Sequence, residues 1–418
     1  MDYDTGLKIA LGWNRWGMEL IGIWPEPCTT GERLSKFKTL IYLSIVFMFG
    51  VGPQSANLFF IWGDLELVTE NLSMANIPYI TAMIKSIFIW YYKESFKSIM
   101  KSFYDDWHSV KTEEEKSMML KMAKLAKFIS ILCSSSSLVM ITAFLSFRVV
   151  TVYLADRVNE NQDRLSLYPG YFPFDVRPAP TLIMVNFAQV IAAYSATICY
   201  TTVDAFIAML ITHMCGQFAI LKKKLLKLMG DDRQCRSIDE FQRELTLIVT
   251  KHDHLNGLAA KIEACFNILL LLQLLLCTVE ICFQGFLFIN ARCFSFKNYS
   301  LAFERVRVKM KCVFNVCPKD KDSTIRNLHF RVLSFVEETE ELSWMFQGKE
   351  MSDCAYESNW YNVSPPEARC LLFIMNRSTR PLCLTAGKFG TFSMQMFSSI
   401  LKTAMGYLSV LLTVTSND

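Results

Sequence analysis

Charged residues divide this chain into uncharged apolar runs of a recurring length. Thr39 to Trp62 holds no charge, and Asn71 to Tyr92 is broken only by Lys85. Phe128 to Phe147 is again uncharged, the run after Pro180 continues to about Ile211, and Ala264 to Ile289 contains only Glu280. About 20 apolar residues in a helix cross a hydrocarbon core of roughly 30 Å. Lipid offers no partner to backbone polar groups, so each run is expected to be a helix. These are spans 1 to 5. The fourth run keeps a helical period through His213, Gln217 and Leu221 into Lys222–Lys227, which predicts a helix that projects beyond the membrane. The last run, within Thr385 to Val414, carries Ser399, Thr403, Gly406, Val410 and Thr413 at spacings that share one helical face. Phe397, Leu401, Leu408 and Leu412 fall opposite. A small, hydroxylated stripe suits close helix packing or the wall of a water-filled path.

Composition agrees with a polytopic helical membrane protein: 52% of the residues are hydrophobic and 20% are charged. The net charge of +4 adds little, but its distribution sets an orientation. Residues 93–127 carry eight lysines and 213–263 carry nine Lys and Arg, whereas 63–70 has neither. Basic loops stay cytoplasmic, so the loops after spans 2 and 4 are expected inside, the loop after span 1 outside and the N-terminus inside. Residues 1–37, with Trp13, Trp16 and Trp24, read as an amphipathic interfacial segment ending near Pro25. No cleavable signal peptide is expected. The external loop 150–180 holds Leu167-Tyr168-Pro169-Gly170-Tyr171-Phe172-Pro173-Phe174-Asp175, stiff and aromatic enough to fold over the bundle as a lid or to anchor at the interface.

Candidate chemistry is sparse. Cys133, Cys199, Cys265 and Cys277 lie in apolar runs and read as small buried hydrophobes. His252-Asp253-His254 has an i, i+2 spacing that puts its imidazoles on different sides of a helix, and Cys312 and Cys317 form only half a zinc pattern. No phosphate-binding loop, dinucleotide fingerprint or nucleophile motif accompanies His213, Asp204 and Glu280, so neither an enzyme nor a metal or other cofactor is expected, and no nucleic-acid partner. A secondary transporter would need paired, broken spans in repeated halves, and no repeat is visible. Lys85 and Glu280 are intramembrane charges that should face protein or water.

Three stretches together resemble one family. Ala355-Tyr356-Glu357-Ser358-Asn359-Trp360-Tyr361, Pro381-Leu382-Cys383-Leu384-Thr385-Ala386-Gly387-Lys388-Phe389 and Ser398 to Val414 are similar to the C-terminal signature of insect odorant receptors. The Tyr168–Asp175 loop and the N-terminal Trp13-Asn14-Arg15-Trp16 and Gly22-Ile23-Trp24-Pro25 fit the same family. The resemblance covers residues 1–290 and 347–418. It implies an all-α, seven-helix odorant-receptor-type bundle with an intracellular N-terminus: an odorant-tuning subunit of a non-selective cation channel, not the co-receptor. Such a subunit would assemble with the odorant co-receptor as a heterotetramer in the plasma membrane of olfactory sensory neurons. Residues 38–290 would hold spans 1 to 5, 347–384 the cytoplasmic inter-subunit anchor, and 385–418 the pore-lining span 7. The resemblance places the gate among Ser399, Thr403, Gly406, Tyr407, Val410 and Thr413, with Val410 at the constriction. Topology puts Tyr79, Met83, Met140, Phe144, Phe187 and Tyr194 in the outer half of the bundle, as apolar walls for a small volatile ligand. A gustatory-type receptor of the same superfamily is the near alternative.

Residues 291–346 depart from that pattern. Basic residues recur from Arg292 to Arg331, and Glu337, Glu338, Glu340 and Glu341 cluster after them. A central charge costs about 2.5–3.5 kcal/mol on insertion, so span 6 is expected to be atypical or missing. The alternative is that the segment marks a splice or gene-model variant, non-functional for want of this span. Asn298-Tyr299-Ser300 would be a glycosylation sequon if external.

Overall fold

The computed structural model describes residues 3–24, 32–109, 112–158, 166–229, 238–298, 349–358, 360–362, 364–378, 384–391 and 394–417. The architecture is all-α apart from one short hairpin. The expected segment 291–346 therefore lies outside the described residues beyond Asn298, and with it Cys312 and Cys317.

The first helix, α1 (Tyr3–Leu20), precedes span 1, built from α2 (Glu32–Val46), a π turn (Phe47–Val51) and α3 (Gly52–Ile61). Span 2 repeats that plan with α4 (Leu65–Asn71), a π turn (Leu72–Asn76) and α5 (Ile77–Tyr91). The proline explains both π turns. A proline has no N–H and its ring crowds the carbonyl four residues back. For Pro53 and Pro78 those carbonyls belong to Phe49 and Met74, each inside the widened turn. The Gly52 and Ile77 N–H groups reach back five residues, to the Phe47 and Leu72 carbonyls.

The next helices are long: α6 (Lys93–Ser109), α7 (Glu113–Val158), α8 (Ala179–Met229) and α9 (Ile238–Asn298). At 1.5 Å per residue, α7 to α9 each measure roughly 70–90 Å, more than twice a hydrocarbon core. Among the described residues, four helical stretches are apolar and long enough to cross a membrane: Arg33–Ile61, Glu113–Val152, Ala179–Met229 and Ile238–Leu287. Helix α8 does run on through His213 into the lysine cluster. It is the axis of the bundle, packed against α1, α2, α5, α7 and α9. Its buried line of Ala192, Ala193, Ala196 and Cys199 is small enough for neighbouring backbones to approach closely.

Helix α1 packs on the bundle while leaving Trp16 exposed. Met18, Leu11 and Ala10 are buried against α7 and α8. The Asn14 amide donates to the Ala205 carbonyl at 3.3 Å, and Trp13 Nε1 donates to Ser134 Oγ at 3.0 Å. Gly17 leaves room for Thr202: a Cβ there would sit 2.2 Å from Thr202 Cγ2. A correction concerns Cys133, which is exposed on the outer flank of α7, while Cys199 and Cys265 are buried and Cys277 half-buried.

Further along the chain, α10 (Lys349–Glu357) packs on α8, and α11 (Pro365–Ser378) packs on α9. Strands β1 (Thr385–Ala386) and β2 (Gly390–Thr391) pair antiparallel, Thr385 opposite Thr391. Gly387 and Lys388 both have positive φ, the geometry of a tight hairpin turn. The Gly387 N–H donates to the Asn267 carbonyl at 2.9 Å, clamping the hairpin to α9. The final helix, α12 (Met394–Asn417), then runs along α9.

Candidate functional site

One end of the bundle carries the lysine clusters, and the other is closed by residues 166–172. Gln189, fully buried on α8, grips this segment from both sides. Its Nε2 donates to the Tyr168 carbonyl at 3.1 Å, and its Oε1 accepts from the Tyr168 N–H at 3.2 Å. Asn186 Oδ1 accepts from Leu167 N–H at 3.1 Å, and Arg148 Nε donates to the Leu167 carbonyl at 3.0 Å. Further along, the Tyr171 N–H donates to the Pro53 carbonyl at 2.9 Å, and the Tyr171 ring stacks on Phe60 at 4.7 Å. The aromatic segment is therefore fastened across spans 1, 3 and 4 as a lid.

The lid meets part of the expected ligand wall. The Tyr168 ring packs edge-on to Tyr79 at 6.1 Å and against Phe144 at 5.6 Å. Tyr79 is buried, Phe144 and Met83 are half-buried in the same core, and Tyr194 shares a 2.9 Å hydrogen bond with Thr142 across α7 and α8. Met140 and Phe187 do not join them, being 71% and 66% exposed. The buried line of α7 runs through Ser134 and Leu145, and that of α8 through Val185 and Gln189. Phe187 is two residues from each of the latter, on the opposite side of its helix.

The intramembrane lysine has a partner. Lys85 is fully buried, and its Nζ lies 2.6 Å from Asp204 Oδ1 and 3.5 Å from the centroid of the Tyr200 ring. Gln273 on α9 donates to the other Asp204 oxygen at 3.3 Å. One charge pair, with its lysine buried and its aspartate about a third exposed, thus joins spans 2, 4 and 5. Glu280 takes no part in that pair and accepts from Gln284, one turn along its own helix, at 3.4 Å.

At the lysine-rich end, a cleft of about 900 Å³ opens between α6, α7, α8 and α9. Asp106 is buried at its base, 3.1 Å from His213 Nε2 and in contact with Lys251 Nζ. Burial pushes the Asp106 carboxyl up, but the hydrogen bonds and charges of His213 and Lys251 outweigh it and hold it below the usual carboxylate range. Glu114 and Glu115 pair with Lys223 and Lys224 on the cleft wall. His252 is buried, with Asn256 and Ser378 as hydrogen-bond neighbours, whereas His254 is exposed, so the two imidazoles diverge.

The last helix has two distinct faces. Leu408 is buried against α9, where Gly285 gives it space; a Cβ at Gly285 would meet Leu408 Cδ2 at 3.0 Å. Ser399, Thr403, Gly406, Tyr407, Val410 and Thr413 are all exposed in the single chain, Val410 by 62%. The stripe read from spacing is therefore the side that the chain's own bundle leaves uncovered. Leu412 is half-buried, and the side chains of Phe397 and Leu401 lie outside the described residues.

Sequence patterns missed Asp204 as the partner of Lys85, and Gln189 as the lid clamp. Asp204 is the one charged residue of its apolar span and Gln189 shares that span's amides with Asn186, which is the signal that could have marked them.

These features define a multi-pass helical membrane receptor fold with a lidded bundle and a half-covered terminal helix. The profile of the family described as 7tm Odorant receptor matches residues 64–295 and 344–405, more than half of the chain. The chain belongs to the insect odorant receptor family. Among curated relatives, it is 25% identical to odorant receptor 13a of Drosophila melanogaster over 60% of this chain and 58% of that one. It is 25% identical to odorant receptor 9a of the same fly over 58% and 54%, and 22% identical to odorant receptor 85c over 80% of each. The chain thus spans little more than half the length of the first two relatives. The olfactory receptor OR5 of the insect Machilis hrabei, solved in complex with eugenol, matches 99% of this chain with a TM-score of 0.70 at 12% identity, a likeness of fold.

Proposed function

We propose that this chain is an odorant-tuning subunit of a non-selective cation channel, acting with the odorant co-receptor in the plasma membrane of olfactory sensory neurons. The observation that carries this reading is the exposed stripe of α12. A lone chain that buries Leu408 and presents Thr403, Val410 and Thr413 outward has a face made for other subunits or for water. A ring containing Val410 would close a path by dewetting, without any charge. The lid over Tyr79, Met83, Phe144 and Tyr194 supports a pocket for a small, mainly apolar ligand beneath it. The OR5 complex with eugenol supports the same ligand class. Co-expression with the co-receptor and recording across a broad odorant panel tests the proposal. It predicts odorant-evoked cation current that depends on this chain. No such current, with surface expression verified, would overturn it.

A second reading concerns residues 291–346. The family profile breaks between residues 295 and 344, the same stretch in which charges replace the expected span. We propose that the gene also encodes a transcript carrying an apolar segment here, and that this chain is the variant without it. Sequencing full-length transcripts against the genomic locus tests this. A single continuous exon for these residues in every transcript would exclude it.

A further inference from the structure

The hairpin that precedes α12 does more than connect helices. Its residues meet α9 one by one. The Thr385 hydroxyl donates to Glu263 Oε1 at 2.5 Å. Ala386 is fully buried, which leaves no room for a larger side chain. The Gly387 N–H donates to the Asn267 carbonyl at 2.9 Å. Gly387 also has positive φ and stands so close to α9 that a Cβ there would meet Leu271 Cδ2 at 2.4 Å.

These contacts lie in a line. Glu263, Asn267 and Leu271 are spaced by four and share one side of α9. Gly285, which seats Leu408, falls on the same side, about 27 Å beyond Asn267 along the helix. Leu408 itself lies about 21 Å beyond Met394 along α12. The two helices therefore run in the same direction, and one ridge of α9 holds α12 at two levels. Phe392 and Ser393 separate the hairpin from α12. A Cβ at Gly390 would touch Met396 Cε at 3.8 Å, so the first turn of α12 rests on β2.

The two holds differ in kind. Hydrogen bonds are directional and fix a position. Leu408 against Gly285 is a non-directional apolar contact, which can slide without losing a specific partner. We propose that Thr385, Gly387 and Glu263 are positioning residues that pin the foot of α12 to α9. The foot is then the pivot about which the uncovered face of Thr403, Val410 and Thr413 moves. In the channel proposed above, on which the pore part of this inference rests, the pivot passes displacement of α9 to the gate.

The test follows amide hydrogen exchange by mass spectrometry on the full chain in lipid nanodiscs. Thr385→Val keeps the shape and removes the donor, and Glu263→Leu removes the acceptor. Each should speed exchange over residues 398–402, the second turn of α12, about tenfold, the factor one hydrogen bond of ordinary strength supplies. The double variant should exchange no faster than the singles. Thr385→Ser, which keeps the hydroxyl, should match wild type. Gly387→Ala should act at least as strongly; if it does not fold, the other variants decide. Wild-type exchange in Thr385→Val and Glu263→Leu, or an equal rise in Thr385→Ser, overturns the pivot. Co-expressed with the co-receptor, Thr385→Val should lower the maximal odorant-evoked current several-fold at an unchanged half-maximal concentration, and Thr385→Ser should restore it. Faster exchange with undiminished current overturns the link to the gate. Faster exchange in a protein whose wild type passes no odorant-evoked current upholds the clamp and rejects the channel; wild-type current with unchanged exchange rejects the clamp alone.

Discussion

Lys85 and Asp204 are separated by 119 positions in the chain, yet their charges meet at 2.6 Å inside the membrane-spanning bundle. Taking two ions out of water is costly, and the pair recovers that cost only while both partners are present. Lys85→Met should leave the partly exposed Asp204 without its cation and destabilise the fold by about 1–3 kcal/mol. The double variant Lys85→Met, Asp204→Leu should recover most of that loss. Thermal unfolding of the four proteins in nanodiscs completes the cycle. A double variant no better than the sum of the singles would mean that the pair does not act as a unit.

Gln189 fastens the lid through two hydrogen bonds to one peptide. Gln189→Leu keeps the volume and removes both. Freeing the Tyr168 backbone should cost about 1–3 kcal/mol and raise the odorant concentration for half-maximal current about tenfold, with surface expression near wild type. The same dose-response in wild type and variant would show that the lid contact does not contribute to ligand binding.

Asp106 sets a dependence on pH. Its folded pKa lies below the unfolded carboxylate value of about 3.9. Its contribution is therefore fully present above that value and is lost as pH falls through the folded one. Between pH 5 and 8 this group should change stability little, and acidification below about pH 4 should weaken the junction of α6, α8 and α9. Asp106→Asn should be less stable than wild type by about 3 kcal/mol at neutral pH and should lose that part of the acid sensitivity. Unfolding curves at pH 7 and pH 3.5 compare the two proteins. An unchanged acid response in the variant would assign it to other carboxylates.

The spans were legible because charge is so costly in lipid that it marks their ends. Thr39 and Trp62 bracket the first run, and the chain places helix from Glu32 to Ile61, broken only by a π turn. The stripe from Ser399 to Thr413 was legible because helical period alone decides which side chains share a face, and Leu408 turns inward as that period requires. Pairings across the bundle were not. Nothing local tells Lys85 that Asp204, rather than Glu280, lies across from it, because the phase between spans is set by packing. Asn14 looked like part of an interfacial segment, since its partner, the Ala205 carbonyl, is a backbone group without a sequence signature. The outward phase of Met140 and Phe187 was hidden for a similar reason: depth in the membrane follows from counting residues, but facing does not. The π turns were visible in principle, as each precedes a proline by two residues.

In the proposed channel, the uncovered face of α12 lines the ion path, with Val410 at its narrowest part. Val410→Cys, co-expressed with the co-receptor, places a thiol on that face, and a charged, membrane-impermeant methanethiosulfonate reagent reports whether water and current pass it. Odorant-evoked current in the variant should fall progressively and irreversibly, with little change in wild type, whose native cysteines serve as the control. Current through Val410→Cys that survives the reagent as wild-type current does would contradict this placement of Val410.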